Sequence, residues 1–235
     1  MTDKALKKIF QMLTPENPEE LRYFLQHLPR YEQTLRAVKN HISGKVVADL
    51  GTVPGHLVRA CKSLGAARAI GLDYDPERFG FGERLRTEGV EILKCDLENG
   101  SLPLADESAD LILFTEVIEH LPTNAQKVLA ECRRVLNAGG QLVLTTPNAN
   151  NLANRVRRLL GRQTDITADD WGARPQQKHQ REYTQKEMMA MLKKAGFKIV
   201  RIEKIEYAWN TEFDTPPDWM KGPFPWDWMV IAKKT

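Results

Sequence analysis

One short stretch, residues 46–57, constrains the fold of this chain more than any other. It begins with Val46, Val47 and Ala48 and continues through Asp-Leu-Gly, with the glycine at position 51. This pattern is typical of a strand buried on both faces that ends in a tight turn and is followed by a helix. A glycine turn before a helix leaves bare backbone and a helix N-terminus beside a bound ligand. The stretch therefore predicts an α/β fold with a ligand site at the end of this strand.

Glycine spacing separates two cofactor classes that use such a turn. A dinucleotide-binding fingerprint beginning at Gly51 needs glycines at positions 53 and 56, where the chain has Val53 and His56. The pattern acidic-x-Gly-x-Gly-x-Gly is met by Asp49, Gly51 and Gly55 and departs only at Val53. This second pattern resembles motif I of the class I S-adenosylmethionine (SAM)-dependent methyltransferases. We expect the departure at Val53 to affect cofactor affinity rather than the fold.

The following segments alternate between strand and helix patterns, and each predicted strand acquires polar residues at its carboxyl end. Strands are expected at 67–73, 90–95, 111–114, 141–148, 197–202 and 228–232. Alternation of this kind predicts a doubly wound, mostly parallel sheet with ligands along one edge. Asp73 lies eighteen residues beyond Gly55, where such a sheet places a carboxylate that accepts hydrogen bonds from ribose hydroxyls.

From about residue 45 to 205, successive segments resemble the class I methyltransferase series in order. Gly71-Leu72-Asp73 is similar to the ribose-binding segment, Asp96-Leu97 to the adenine-binding segment, and residues 115–121 to the segment after the fourth strand. The resemblance implies SAM as cofactor and a seven-stranded, Rossmann-like sheet whose last strand is antiparallel. It implies cofactor contacts from residues at the strand ends, namely Asp49, Gly51, Gly55, Asp73, Tyr74, Asp96, Leu97 and Thr115.

Length and composition fit an ordinary globular enzyme. The chain has 235 residues, of which 42% are hydrophobic and 28% charged. We expect a cytoplasmic protein, because the sequence shows no apolar run of membrane-span length and no signal peptide. The net charge of +3 does not by itself indicate a nucleic-acid partner. Cys61, Cys95 and Cys132 are expected to be reduced core or near-core residues.

The N-terminal segment, residues 1–43, carries no strand pattern and is predicted to be helical. Asn17 followed by Pro18 begins one helix, and Glu20 is placed to complete a capping box. A second helix is expected from Tyr31 to Ile42. We expect this segment to pack against the sheet or to cap the cofactor pocket.

The remaining chain, residues 44–235, is expected to form the SAM-binding domain, with residues 148–180 as an insertion on the acceptor side. The insertion combines apolar residues at helical spacing with four arginines, Arg155, Arg157, Arg158 and Arg162. Inserted segments at the ligand edge usually shape the acceptor pocket, and arginines suit anionic groups. The alternative is the solvated face of an amphipathic helix.

A hydroxyl acceptor must lose its proton to a general base or through coordination to a cation. Glu116, Glu119 and His120 are three and four residues apart, so a helix after the fourth strand would place them on one face. Glu-x-x-Glu-His with the later His179 resembles the metal site of small-RNA terminal 2′-O-methyltransferases and is similar to the motif of ubiquinone-pathway O-methyltransferases. Three interpretations follow. His120, with Glu116, is catalytic as a base or positions the acceptor; Mg²⁺ or Mn²⁺ binds to Glu116, Glu119, His120 and His179; or the His–Glu pair is structural.

The leading hypothesis for function is methylation of a hydroxyl on a small polar acceptor, such as a sugar, a biosynthetic intermediate or a quinone precursor, by a monomer or homodimer. The alternatives are metal-dependent 2′-O-methylation of an RNA end and SAM binding without catalysis. The near-neutral charge and the lack of a recognisable RNA-binding module disfavour RNA. The sequence does not distinguish an oxygen acceptor from a nitrogen acceptor.

Overall fold

The computed structural model describes residues 3–15, 17–121, 123–151, 155, 159, 180–205 and 227–235. Within these ranges seven strands form one sheet: β1 (Val46–Leu50), β2 (Arg68–Asp73), β3 (Glu91–Lys94), β4 (Ala109–Thr115), β5 (Leu136–Pro147), β6 (Phe197–Ile205) and β7 (Asp227–Lys234). The helices of the same ranges are α1 (Asp3–Met12), α2 (Pro18–Val38), α3 (His56–Ser63), α4 (Phe81–Thr87), α5 (Ala125–Val135) and α6 (Gln185–Lys194).

The strand order is β3-β2-β1-β4-β5-β7-β6. The five strands from β3 to β5 pair in parallel, whereas β7 pairs antiparallel with both β5 and β6. This arrangement confirms the predicted doubly wound, mostly parallel sheet with an antiparallel seventh strand. The order reverses between β1 and β4, and in sheets of this type the crevice at the carboxyl ends of such strands is where ligands bind.

The two faces of the sheet are covered by different helices. Leu111 and Leu113 of β4 belong to an apolar cluster with α1 to α4, whereas Ile112 and Phe114 belong to a second cluster with α5 and α6. This alternation follows from the two-residue period of a strand and explains why the central strands are apolar throughout. The three cysteines are buried and unpaired by disulfides, as expected.

Helix α2 departs from prediction because it is a single helix of 21 residues that continues through Pro29. Phe24 before the proline and Leu35 after it are both almost fully buried in the same apolar cluster. A proline inside a helix removes one backbone hydrogen bond and strains the preceding turn. We attribute the continuity of α2 to its apolar contacts on both sides of Pro29.

The start of α2 is as expected, but the capping box is not. The Asn17 side chain accepts hydrogen bonds from the backbone N–H groups of Glu19 and Glu20. The Glu20 carboxylate does not turn back to Asn17. It forms a bidentate ion pair with Arg84 of α4, with Nη2 to Oε1 at 2.8 Å and Nη1 to Oε2 at 3.0 Å. A charged partner from another helix has displaced the local cap.

None of the helices in the described ranges combines the length and the apolar character needed to cross a membrane.

Candidate functional site

The turn between β1 and α3 lies at the carboxyl edge of the sheet. Gly51 adopts φ 69° and Gly55 adopts φ 94°, backbone conformations that disfavour other residues. A Cβ atom on Gly51 would lie 2.5 Å from Cγ2 of Val117, and one on Gly55 would overlap the Leu85 side chain. The two glycines of the sequence motif are therefore required both by backbone conformation and by close packing.

Asp73 at the end of β2 is fixed by two backbone donors. The N–H of Asp75 donates to Oδ1 at 2.9 Å, and the N–H of Val53 donates to Oδ2 at 3.1 Å. Burial raises the pKa of Asp73, while both hydrogen bonds act in the opposite direction. An ionised carboxylate oxygen can accept a second hydrogen bond, so each oxygen retains capacity for a ligand hydroxyl. Val53 uses its backbone here, and this contact does not require a glycine.

Asp49, near the end of β1, stabilises the turn between β1 and α3. Its carboxyl is buried, and Oδ2 accepts a hydrogen bond from Oγ1 of Thr52 at 2.8 Å. Burial raises the pKa of Asp49 to about 7, although the Thr52 hydrogen bond lowers it. This contact joins the end of β1 to the loop that follows it, so Asp49 shapes the site whether or not it touches a ligand.

Tyr74 directly follows β2, and Asp96 lies two residues beyond the end of the neighbouring strand β3. The N–H of Cys95 donates to the carbonyl of Asp73 at 2.7 Å, which brings the ends of the two strands together. Asp96 accepts hydrogen bonds from Glu98 N–H and from the Asn99 amide and so caps the short 3₁₀ turn Leu97–Asn99. Leu97 is 8% exposed and Tyr74 is 48% exposed. Thr115 lies at the end of β4, across the crevice.

On the other side of the crevice, Glu116 follows β4 with φ 55°. Its N–H donates to the carbonyl of Thr145, and its Oε1 accepts from Oγ1 of Thr145 at 2.8 Å. Its Oε2 lies 3.0 Å from Nη1 of Arg30 in α2. Both carboxylate oxygens therefore already have protein partners.

Arg30 pairs with a candidate site residue, Glu116, and the sequence analysis did not identify it. It is 5% exposed, and it lies on the buried side of α2 with Thr34 and Val38 at steps of four residues. A charged residue in line with buried positions of a helix was the available signal. This signal can be recognised only when it is known which face of α2 is buried.

The predicted helix with Glu116, Glu119 and His120 on one face is wrong. Glu116 is in the left-handed region, and only the 3₁₀ turn Ile118–His120 follows it. As a result the Glu119 side chain is fully buried, whereas the His120 side chain is 22% exposed. His120 Nε2 lies 3.9 Å from Oε1 of Glu119.

Glu119 connects three parts of the chain. Its Oε2 accepts a hydrogen bond from Oγ1 of Thr146 at 3.0 Å, and its backbone carbonyl accepts from the N–H groups of Gln180 and Arg181. Burial, together with the nearby charge of Glu116, raises the pKa of Glu119 well above its usual range. The buried surroundings of Glu119 therefore disfavour the charged form of its carboxyl.

Within the ranges that the structure describes, no group of three or more His, Cys, Asp or Glu side chains could hold a metal ion. His179 lies outside the described residues, so the four-residue metal set stays a prediction. Most of the insertion, including Arg157, Arg158 and Arg162, is also outside them. Leu159 is described and 87% exposed.

Comparison with known proteins identifies the family. A family model described as a methyltransferase domain matches residues 48–144. A probable SAM-dependent methyltransferase from Mycolicibacterium smegmatis is 32% identical over 195 residues, which are 83% of this chain and 66% of that protein. The chain belongs to the class I SAM-dependent methyltransferases.

Two further proteins are similar to this chain. A ubiquinone biosynthesis O-methyltransferase from Burkholderia pseudomallei is 27% identical over 169 residues, covering 71% of this chain and 70% of that one. The crystal structure of a possible histamine N-methyltransferase from Thermotoga maritima superposes with a TM-score of 0.62 at 22% identity, covering 92% of this chain and 95% of that one. At this level of identity, the T. maritima structure shows only that the two proteins share a fold.

The chain is shorter than several of its relatives. Four curated proteins that are 32–37% identical to it are longer, and the chain spans only 32–66% of their length.

The residues of the cofactor edge fit SAM. Asp73 retains acceptor capacity for ribose hydroxyls, and the glycine turn at Gly51 presents backbone beside the end of β4. Asp49, Gly55, Tyr74, Asp96, Leu97 and Thr115 lie in the loops or strand ends around this edge. Their individual contacts with SAM stay predictions.

Proposed function

We propose that this methyltransferase transfers a methyl group from SAM to a hydroxyl of a small polar acceptor, with His120 as the general base. SAM supplies a methyl group on a positively charged sulfur; as the acceptor oxygen bonds to that methyl carbon, the C–S bond breaks and its electron pair stays on sulfur. The hydroxyl proton passes to His120. The rest of the site aligns the two reactants and excludes water.

The observation that carries this proposal is the different environment of His120 and Glu116. Both oxygens of Glu116 have partners in Arg30 and Thr145, so taking a proton would disturb an ion pair. The imidazole of His120, in the short 3₁₀ turn that follows β4, is partly exposed. A neutral imidazole is a suitable base at cellular pH. We therefore assign the base to His120, and we infer that Glu116 organises the site.

A hydroxyl acceptor is supported by the relative from B. pseudomallei, which is named for O-methylation in ubiquinone biosynthesis. A phenolic quinone precursor, a sugar or another hydroxylated intermediate belongs to this class. We also propose that residues 148–180 line the acceptor pocket, because Asn148 and Asn151, at the start of this segment, are buried directly after β5. In this proposal the protein acts in the cytoplasm as a monomer or homodimer.

The test is a transfer assay with radiolabelled methyl-SAM and four probes: 3,4-dihydroxybenzoate, methyl glucoside, histamine and a short RNA with a free terminal 2′-hydroxyl. We expect label on one of the first two, without added metal and in the presence of EDTA. Label on histamine would replace the oxygen acceptor with nitrogen. Label on RNA that requires Mg²⁺ or Mn²⁺ would favour the metal-dependent alternative. Tight SAM binding without any transfer to the four probes would contradict the proposed acceptor class.

A further inference from the structure

We propose that Trp228 is an acceptor-binding residue whose indole N–H donates a hydrogen bond to a second hydroxyl of the acceptor, apart from the hydroxyl that is methylated. The inference rests on the proposed function, because it takes a hydroxylated acceptor beside His120 as its starting point. It adds a residue of the last strand to the acceptor pocket, and it restricts the acceptor to molecules with at least two hydroxyl groups.

The first argument is the indole nitrogen of Trp228. The side chain is partly buried against the apolar cluster that includes α5 and α6. Its Nε1 atom is buried and has no hydrogen-bond partner in the part of the chain that the structure describes. A buried indole N–H usually has a partner, because burying a donor without one is unfavourable. This nitrogen can only donate, so a ligand atom that satisfies it has to be a hydrogen-bond acceptor.

The second argument is the position of Trp228 in the sheet. Trp228 is the second residue of β7, and it pairs with Thr146 near the end of β5. Residues that pair across two antiparallel strands have their side chains on the same face, with Cβ atoms about 4.5–5.5 Å apart. Because β5 runs parallel to β4 and ends here, Trp228 lies at the carboxyl edge of the parallel strands. Ligands bind at this edge in sheets of this type.

The third argument is the set of contacts that links Trp228 to His120. Oγ1 of Thr146, the residue opposite Trp228, donates to Oε2 of Glu119 at 3.0 Å. Oε1 of the same carboxyl lies 3.9 Å from Nε2 of His120. Two side chains therefore stand between the indole and the proposed base. The oxygen that gives its proton to His120 does not reach the indole at the same time, so the indole binds a second oxygen of the same molecule.

The fourth argument identifies that second oxygen as a hydroxyl. Oε1 of Glu119 is also buried without a hydrogen-bond partner among the described residues, and its carboxyl is bonded to the threonine opposite Trp228. A hydroxyl accepts from the indole and can still donate or accept once more, so it pairs with Oε1 whether Glu119 is ionised or neutral. A protonated amine cannot accept from the indole, and an ether oxygen cannot donate to an ionised carboxyl.

The deciding variant is Trp228→Phe, which keeps an aromatic ring against the apolar cluster and removes the N–H group. Tyr23→Phe is the matched control, because it removes a polar group from a ring that is 42% exposed on α2, over the other face of the sheet. The ligands form two matched series. One is 3,4-dihydroxybenzoate with 3-hydroxybenzoate and 4-hydroxybenzoate, and the other is methyl glucoside with its monodeoxy analogues.

The primary measurement is ¹H–¹⁵N NMR of the full chain labelled at tryptophan and saturated with S-adenosylhomocysteine. The Trp228 indole signal is assigned by its absence in Trp228→Phe or, if that variant does not fold, by Phe variants of the other tryptophans. We expect 3,4-dihydroxybenzoate or methyl glucoside to shift the Trp228 indole proton downfield, and the analogue without the second hydroxyl to leave it in place. A signal that no ligand shifts, or that every analogue shifts equally, would overturn the proposal.

Kinetics supply the second measurement, with the series that the wild type methylates. We expect the wild type to prefer the acceptor with both hydroxyls over the analogue without the second one by about 5–30-fold in kcat/KM, through KM. We expect Trp228→Phe to reduce this preference to about twofold or less, Tyr23→Phe to retain it, and SAM affinity to be the same in all three proteins. A structural role for Trp228 predicts an equal loss for every acceptor with the preference retained, and that result would contradict the inference.

Failure of the proposed function is recognised separately, because the NMR measurement needs no turnover. A ligand that shifts the Trp228 signal but receives no methyl group contradicts the proposed reaction and leaves Trp228 as a binding residue. Methyl transfer to a hydroxyl, with the same preference in Trp228→Phe as in the wild type, contradicts the inference and leaves the proposed reaction in place.

Discussion

The two sides of the crevice are built in different ways. On the cofactor side, Asp73 is held by backbone N–H groups of Val53 and Asp75, and two glycines give the turn its shape. On the proposed acceptor side, Glu116 and Glu119 are held by side chains, Arg30 from α2 and two threonines from β5. Backbone contacts tolerate most substitutions at the donor, whereas side-chain contacts depend on the identity of each partner.

Helix α2 contacts residues on both sides of the crevice, with aromatic rings on one side and a charged group on the other. Toward the cofactor side, Phe24 and Tyr31 pack on the ring of His56, with ring centroids 4.8 and 5.5 Å away. Toward the acceptor side, the charge of Arg30 meets Glu116. We infer that the N-terminal helices are part of the site rather than only a cover for the sheet, and four predictions test the contrast between the two sides.

The largest effect is expected on catalysis at the acceptor side. His120→Ala should lower kcat by roughly 10²–10⁴-fold and leave SAM affinity unchanged, because a general base contributes about this much to proton transfer. Calorimetric SAM titration and the transfer assay measure the two quantities. His41→Ala is the control, since His41 lies beside Gln141 in a different part of the sheet. Full activity in His120→Ala would leave alignment of the reactants as the mechanism.

The second effect is on stability and compares the two ion pairs of α2. Arg30→Met should lower the free energy of unfolding by about 3–5 kcal/mol, because it leaves a largely buried Glu116 without its cation. Arg84→Met breaks the Glu20 pair and should cost less than Arg30→Met, because the Arg84 side chain is 32% exposed and that of Arg30 is 6% exposed, although both carboxylates are largely buried. Urea unfolding measures both. Equal losses would show that the Arg30 pair contributes no more to the free energy of unfolding than the Glu20 pair does.

The third prediction concerns pH. Burial lowers the pKa of His56 to about 3 from 6.5, so between these values the unfolded chain binds a proton that the folded chain does not. The neutral His56 ring contributes fully to the free energy of unfolding above pH 6.5, and this contribution decreases as the pH falls toward 3. The decrease between pH 7 and pH 4 is about 2–4 kcal/mol. His56→Phe should lose less stability over this range. The difference between the two unfolding curves isolates His56 from His27, whose pKa is also lowered, to about 4. Parallel curves would contradict the expected burial of an uncharged ring.

The smallest effect is expected on cofactor binding. Asp73→Ala should weaken SAM binding by about 1.5–3 kcal/mol, the usual range for hydrogen bonds to a charged group. Asp106→Ala is the control, because Asp106 pairs with Arg134 and is not among the candidate site residues. Unchanged affinity in Asp73→Ala, measured by calorimetry on a folded variant, would remove Asp73 from the cofactor site. Comparison of Asp73→Ala with His120→Ala shows whether SAM binding depends on one side of the crevice and methyl transfer on the other.

Much of the fold could be predicted from local patterns. The apolar runs of β1 and β4 predict two buried strands, the glycines predict the turn after β1, and Asp73 marks the polar end of β2. Each signal lies within or next to the element that it specifies, so periodicity and turn chemistry were sufficient. The capping box at Thr184 and Glu187 that begins α6 is another local feature, and the structure shows it. Prediction from the sequence failed where a residue distant in the chain replaced a local partner. Glu20, which was expected to complete the cap at Asn17, instead pairs with Arg84.

The sequence by itself determined the doubly wound sheet, the glycine turn at its carboxyl edge and the identity of the polar residues around it. These follow from hydrophobic periodicity and from backbone conformations that only glycine adopts readily. The tertiary structure alone decided how the residues after β4 are used. Arg30 is 86 residues before Glu116, and Thr146 is 27 residues after Glu119. Because these contacts join segments far apart in the chain, no local pattern could show that Glu116 is engaged, that Glu119 is buried, or that His120 is the group left partly exposed.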